Sequence, residues 1–300
     1  GHKNFEFING DILDFDLMKR ACDHVSCVFH LAADSRIQTG ISDPLHAFRT
    51  NIQGTANVAE AARQMGVQRI VYSASSSAYG RRNDWIFKTG PEHGLDQAVS
   101  SEEGWTGGLN ERLPTDCLNP YSMSKKAGED IMDVYHRLYG MSTVSLRYFN
   151  VYGPRHQEEG RYATVIAIFR RQLRHGQKMT IVGDGTQRRD FTFVGDVVRA
   201  NMMAMMNHEA TGVFNVGTGT NYSINELSRL VSGKTATEDM TEWVEYIPPR
   251  LGEAQVTLAD ITKISDVMGW RPQVNLQQGL EVLDMFEKKV GLPSGIILSV

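Results

Sequence analysis

Short apolar runs ended by small or hydroxyl side chains alternate in the first half of the chain with longer stretches of helical apolar spacing. Phe5-Glu6-Phe7-Ile8 reads as a short strand running into the turn Asn9-Gly10-Asp11-Ile12. A short helix is predicted near Phe15–Cys22, then a second strand, Cys27-Val28-Phe29-His30-Leu31, ending in Ala32-Ala33. His30 reads as a packed strand residue. Asp43-Pro44 opens a helix striped by Leu45, Phe48, Ile52, Val58 and Ala62, and Gly66 stops it. A strand over Arg69–Ser75 follows, and strand–helix–strand alternation implies a parallel sheet.

The second half begins with a helix from Asn119-Pro120, striped by Ala127, Ile131, Val134, Tyr135 and Leu138 and stopped at Gly140. A strand over 144–149 comes next. Beyond Pro154 the elements shorten: a helix over 162–175, a strand over 179–182 and the turn Gly183-Asp184-Gly185. Helices over 224–231, 260–268 and 276–288 complete the pattern, and 291–300 carries none. Residues 81–118 form a long connection whose Trp85, Trp105 and Gly107-Gly108 suggest an ordered excursion. A lid and an inert insertion both fit it.

Composition narrows the classes. A chain of 300 residues, 41% hydrophobic, can fill one large core or two lobes. A net charge of -4 gives no reason to expect nucleic acid or an anionic membrane as partner. Cys22, Cys27 and Cys117 show no metal-ligand spacing and, being odd in number, no disulfide framework. A reducing, cytoplasmic setting fits. No apolar run approaches membrane-spanning length. The sequence does not begin with methionine, so its start reads as processed, tagged or cut.

Candidate chemistry concentrates between residues 71 and 125. The strand at Ile70-Val71-Tyr72 runs into Ser73-Ala74-Ser75-Ser76-Ser77-Ala78-Tyr79-Gly80, and Asn119-Pro120-Tyr121-Ser122-Met123-Ser124-Lys125 opens a helix. Tyr121 and Lys125 stand four apart, on one helical face. A tyrosine of ordinary pKa about 10 becomes a base near neutrality only if its phenolate gains roughly 4 kcal/mol, at about 1.4 kcal/mol per unit. A lysine one turn away and the positive end of the helix both act in that direction. A serine on the neighbouring strand can hold the substrate oxygen whose proton the tyrosine takes. With ten tyrosines in the chain, the pair alone is weak support.

Its company is stronger. Ser75 before Ala78-Tyr79-Gly80, Asn119-Pro120-Tyr121 with Lys125, and Leu146-Arg147-Tyr148-Phe149-Asn150-Val151-Tyr152-Gly153-Pro154 occur in that order. From about Asn9 to about Gly279 the chain resembles the extended short-chain dehydrogenase/reductase family, specifically its nucleotide-sugar epimerases of the UDP-glucose 4-epimerase type. The resemblance implies an α/β fold: a Rossmann-like doubly wound parallel sheet with a smaller C-terminal substrate lobe. Residues 1–150 with about 190–217 would form the NAD-binding part, and 151–189 with 218–300 the nucleotide-sugar lobe. It implies NAD as cofactor, a UDP-sugar as substrate and a homodimer through helices at 44–65 and 120–139. Ser75, Tyr121 and Lys125 would be catalytic. Asp11, Ile12, Leu31, Ala32, Ala33, Asn51, Ser73, Tyr121, Lys125 and Tyr148 would meet NAD. Ser75, Phe149, Asn150, Ile181, Val182, Arg189, Arg250 and Glu253 would meet the substrate, the two arginines clamping the diphosphate in bidentate fashion. Glu253 departs from the aspartate more common there. No metal site is implied.

One expected feature is missing. No G-x-G-x-x-G turn precedes residue 70, and Gly217 and Gly219 come too late and lack a third glycine. By resemblance the chain starts near the third strand of the usual sheet, without its first two strands, as a fragment of a longer gene product would, and tight NAD binding is not expected. Ser76 and Ser77 stand where dehydratases carry an Asp-Glu pair, which disfavours elimination. Reversible oxidation at C4 through a 4-keto sugar is favoured instead. Thr257 replaces a bulky tyrosine of plain-hexose enzymes, leaving N-acetylated and uronate sugars open. The alternatives are a non-catalytic fragment or binding protein of the same fold, and a related dehydrogenase or reductase.

Overall fold

The computed structural model describes residues 4–80 and 108–291. The notable aromatic residues of the long connection, Trp85 and Trp105, lie outside these, as does most of the 291–300 tail.

The core is a four-stranded parallel sheet in the order β1-β2-β3-β8, made of β1 (Cys27–His30), β2 (Arg69–Ser75), β3 (Ser142–Tyr148) and β8 (Gly212–Val216). Helices cover both faces, as parallel sheets require. On one face lie α1 (Phe15–Cys22), α4 (Gly54–Gln64) and α5 (Pro120–Tyr139), with Ala59, Ala62, Ile70, Tyr72 and Met132 packed between them. On the other lie α7 (Val194–Met206) and α9 (Thr262–Met268), around Val144, Leu146, Ala200, Phe214 and Trp270. This is the Rossmann-like doubly wound arrangement expected from the sequence.

The C-terminal lobe has its own core. α6 (Val165–Arg174), β5 (Met179–Val182), α8 (Ile224–Ser232), β10 (Val244–Ile247) and α10 (Leu276–Val290) enclose Phe169, Ile181, Leu227 and Leu283. Short pairs join the lobes: β4 (Val151–Tyr152) with β7 (Thr192–Phe193), and β6 (Arg188–Asp190) with β9 (Asn221–Ser223). Asp190, fully buried, receives N–H bonds from Thr218, Gly219 and Ala259 and so ties β6 to two loops. Among the described residues no helix is long and apolar enough to cross a membrane.

Four expectations change. Residues 5–8 form no strand and lie exposed, Phe7 at 78%. A strand needs a hydrogen-bonding neighbour, and among the described residues β1 pairs only with β2. The helix expected from Pro44 to Gly66 forms as one continuous run but carries a π-helical turn (Arg49–Gln53) between α3 (Pro44–Phe48) and α4. An unforeseen helix, α2 (Ile37–Ser42), precedes it. Finally, α5 turns its polar side inward: Ser122, Ser124, Lys125, Gly128 and Glu129 are buried, while Val134 and Leu138 of the apolar stripe are exposed.

Candidate active site

The carboxyl end of β2 and the amino end of α5 meet, and the chemistry gathers there. β2 ends at Ser75, which caps a 3-10 turn over Ser76–Tyr79. Ser77 donates to the Ser75 oxygen twice, from its hydroxyl at 2.9 Å and its backbone N–H at 3.2 Å. A serine hydroxyl has two lone pairs and one proton. Both lone pairs are occupied, so its proton is free to be directed toward Tyr121, whose phenolate the Ser75 hydroxyl favours.

Tyr121 sits in the first turn of α5, where Asn119 and Ser122 form a reciprocal cap at 2.8 and 3.2 Å and Pro120 presets the backbone. The helix therefore presents its positive end beside the phenol. Burial pushes the Tyr121 phenol above the ordinary tyrosine value. The Ser75 hydroxyl and the charge of Arg36 pull it down, and Asp34 pushes it up.

Lys125, one turn on, is only 4% exposed. Its ammonium lies 4.4 Å from the centre of the Tyr72 ring. Burial draws it down to about 7, against Glu129, whose charge holds it up. Glu129 is in turn locked by Arg147 in a bidentate pair, both bonds 2.7 Å and both side chains buried. Arg36, from outside the helix, is a further cation that favours the Tyr121 phenolate.

Arg36 reaches this place through α2. Gly40 lets that helix lie against α5: a Cβ there would stand 3.2 Å from the Tyr121 nitrogen. Arg36 itself precedes the first residue of α2, and its guanidinium donates to the Ala163 carbonyl across the cleft. Around it stand Arg250, Tyr121, Tyr162 and Glu253. Asp34 is buried nearby, its backbone pinned by Asn51 at 2.7 and 2.9 Å and its carboxylate 3.7 Å from His46. Sequence reasoning missed both, because 34–42 lacks apolar periodicity and reads as a loop.

The other expected residues divide. Leu31 and Ala32 are exposed at the end of β1. Asp11 and Ile12 form a turn that Asn57 fastens to α4 through the Ile12 and Leu13 carbonyls. Arg189 lies 3.6 Å from Glu253, and Arg250 is exposed. Asn150, at φ 30°, donates to the Asp190 carbonyl and to Thr257. Thr257 is 8% exposed, and its hydroxyl accepts from Asn150 and from the Asp190 backbone. Phe149 and Ile181 have buried side chains, at 0% and 1% exposure, packed with Tyr79 and in the core of the C-terminal lobe respectively. The Asn51 amide is spent on Asp34 and Ser124. Ser73 and Tyr148 bond each other at 3.0 Å. His30, as expected, is packed, bonded to Thr55 and drawn down to about 3 by burial.

A dinucleotide fits this surface in part. The exposed end of β1, Tyr121 and Lys125 suit a ribose and nicotinamide at the strands' carboxyl ends. No glycine-rich strand-to-helix turn for a pyrophosphate occurs among the described residues.

The profile of the NAD dependent epimerase/dehydratase family matches residues 1–217. The chain is 33% identical over 287 residues to UDP-glucose 4-epimerase of Mycolicibacterium smegmatis, covering 95% of this chain and 84% of that protein. It is 31% identical over 289 residues to UDP-glucuronate 4-epimerase of Thermodesulfobacterium geofontis, covering 93% and 78%. Among solved structures, the UDP-glucose 4-epimerase of Thermotoga maritima with UDP-glucose superposes with a TM-score of 0.81 at 30% identity, over 97% of this chain and 87% of that one.

Proposed function

The chain belongs to the NAD-dependent epimerase/dehydratase family, and on that premise we propose that it serves epimerisation at C4 of a UDP-linked hexose through a transient 4-keto sugar. The observation that carries the reading is the meeting of Ser75, at the carboxyl end of β2, with Tyr121, in the first turn of α5, where Ser77 donates to the Ser75 oxygen and the Ser75 hydroxyl favours the Tyr121 phenolate. Tyr121 takes the C4 hydroxyl proton and later returns it, and Ser75 holds the same oxygen. NAD, the family's cofactor, supplies reversible hydride acceptance when bound. Lys125, Leu31, Ala32 and Ala33 would hold its ribose and nicotinamide, and Asp11 and Ile12 its adenine end.

The substrate's diphosphate falls to Arg189 and Arg250, with Glu253 orienting Arg189. Ser76 and Ser77, in place of carboxylates, favour return of the hydride over loss of water. The dinucleotide part comprises 1–150 with about 190–217, and the sugar-nucleotide part 151–189 and 218–300. A homodimer through the helices at 44–65 and 120–139 is supported by the exposed Leu45 of α3 and by the exposed Met123, Val134, Leu138 and Tyr139 of α5.

Incubating the protein and its Tyr121→Phe variant with NAD and UDP-glucose, UDP-N-acetylglucosamine or UDP-glucuronate tests the reading. An epimer of at least one sugar, formed only by the unaltered protein, is expected. A stable ketone would turn the reading to a dehydrogenase, and equal turnover by the variant would remove Tyr121 from the chemistry.

A further inference from the structure

We propose that Asn119 is a positioning residue: its two-sided amide ties the loop that carries the diphosphate arginines to the first turn of α5, and so sets the spacing between the substrate's phosphates and Tyr121. The inference deepens the proposed function and rests on Arg189 and Arg250 taking the diphosphate.

The geometry is specific to one side chain. Asn119 is 8% exposed. Its Oδ1 accepts the Ser122 N–H at 2.8 Å, which caps the helix, and its Nδ2 donates to the Gly252 carbonyl at 2.9 Å, in the loop after β10. The partners fix the orientation of the amide, since an N–H needs the oxygen and a carbonyl needs the nitrogen. Asp and Ser cap a helix as well as Asn does. An ionised aspartate has no donor, and a serine has no second polar atom. The cap alone therefore does not call for asparagine, whereas the bond to Gly252 does.

The loop is shaped for the same contact. Gly252 has the left-handed φ of +79°, and a Cβ there would stand 3.1 Å from Ile41 Cδ1 and 3.5 Å from Asn119 Cβ. The Gln38 side chain holds the neighbouring Leu251 carbonyl at 3.2 Å. Gly40 in turn lets α2 lie against the Tyr121 backbone. The loop thus rests on α2 and on the helix cap together. Arg250 precedes this clamp, and Glu253 follows it, 3.6 Å from Arg189. Arg189 also donates to the Gln255 carbonyl at 3.1 Å. Both arginines therefore depend on one short segment, whose anchor stands two residues before Tyr121. A diphosphate drawn to the arginines would load that anchor directly.

The test is amide hydrogen exchange of the first turn of α5, read by mass spectrometry with and without UDP. It needs neither cofactor nor sugar. In the unaltered protein, bound UDP should slow exchange there about threefold or more. Asn119→Ser keeps the cap and removes the donor, so it should bind UDP in calorimetry yet show no slowing. Asn119→Asp and Gly252→Ala break the same contact from its two ends and should do the same. In the epimerase assay Asn119→Ser should lose about tenfold or more in kcat with KM within about twofold, because the sugar is held but out of register with Tyr121. Slowing that survives in Asn119→Ser, or none in the unaltered protein with UDP bound, overturns the proposal, as does a loss carried by KM alone. A protein that does not bind UDP overturns the sugar-nucleotide reading and this inference with it. Exchange coupled through Asn119 in a protein that forms no epimer would refute the reaction and leave this assignment standing.

Discussion

Replacing Lys125 by methionine should make the protein more stable near pH 6 and leave it unchanged near pH 10. Lysine ordinarily titrates near 10.4, whereas burial holds Lys125 at about 7 in the folded chain. Between those values the unfolded chain binds the proton and the folded protein does not, so stability rises with pH across the window. Below about 7 the folded protein carries the whole penalty of a buried ammonium, about 4–5 kcal/mol at about 1.4 kcal/mol per unit. Methionine keeps the apolar stem and carries no charge. It forfeits the cation contact with Tyr72, worth about 1–2 kcal/mol. The net gain is therefore about 3 kcal/mol at low pH, falling to nothing as the lysine becomes neutral in both states. Urea denaturation of both proteins at several pH values reads this difference directly from the midpoints. A gap that does not change with pH, or a variant less stable at pH 6, would refute the account of Lys125 as a buried amine kept at a cost in stability.

Two further substitutions probe the packing behind the site. Glu129→Gln leaves the Arg147 guanidinium buried beside a neutral partner, so urea unfolding should register a loss of about 3–5 kcal/mol. The same change removes the charge that holds Lys125 up, so the low-pH penalty of the lysine should grow. Gly128→Ala places a methyl 2.1 Å from the Tyr72 hydroxyl. Thermal unfolding should report a loss of about 1–3 kcal/mol from overpacking, despite alanine's better helix propensity, and adding Tyr72→Phe should recover part of it.

Three of the four sheet strands were legible, β2 from its apolar run Ile70-Val71-Tyr72 and β3 from Val144 and Leu146 among small polar residues, these two buried on both faces; β8 was not. Helix ends carried by local chemistry were equally legible: the Asn119–Pro120 start and Gly140 stop of α5 are written in residue types that suit a cap and a left-handed backbone. The inward face of that helix was not. Its buried residues are serines, a lysine and a glutamate, which a hydrophobic reading assigns to solvent. What settles their burial is pairing from elsewhere, Arg147 against Glu129 and Tyr72 against Lys125. Residues 5–8 failed for the opposite reason, since a strand pattern describes a willingness to pair and not the presence of a partner.

Ser75, Tyr121 and Lys125 could be named from motif order, and Arg36 could not. Its relation to Tyr121 spans two helices and depends on the absence of a side chain at Gly40. Phe149 and Ile181 stand beside cleft residues in sequence, while their side chains pack into the cores.

The central claim is that the hydrogen on C4 leaves and returns within one site while Tyr121 handles only the hydroxyl proton. UDP-glucose deuterated at C4, incubated with the protein and NAD in ordinary water, tests it most directly by mass and magnetic resonance analysis of the product. The account predicts a C4 epimer that keeps its deuterium, with turnover lost in Tyr121→Phe. A product in which C4 has exchanged with solvent, or one formed equally well by the variant, would contradict it.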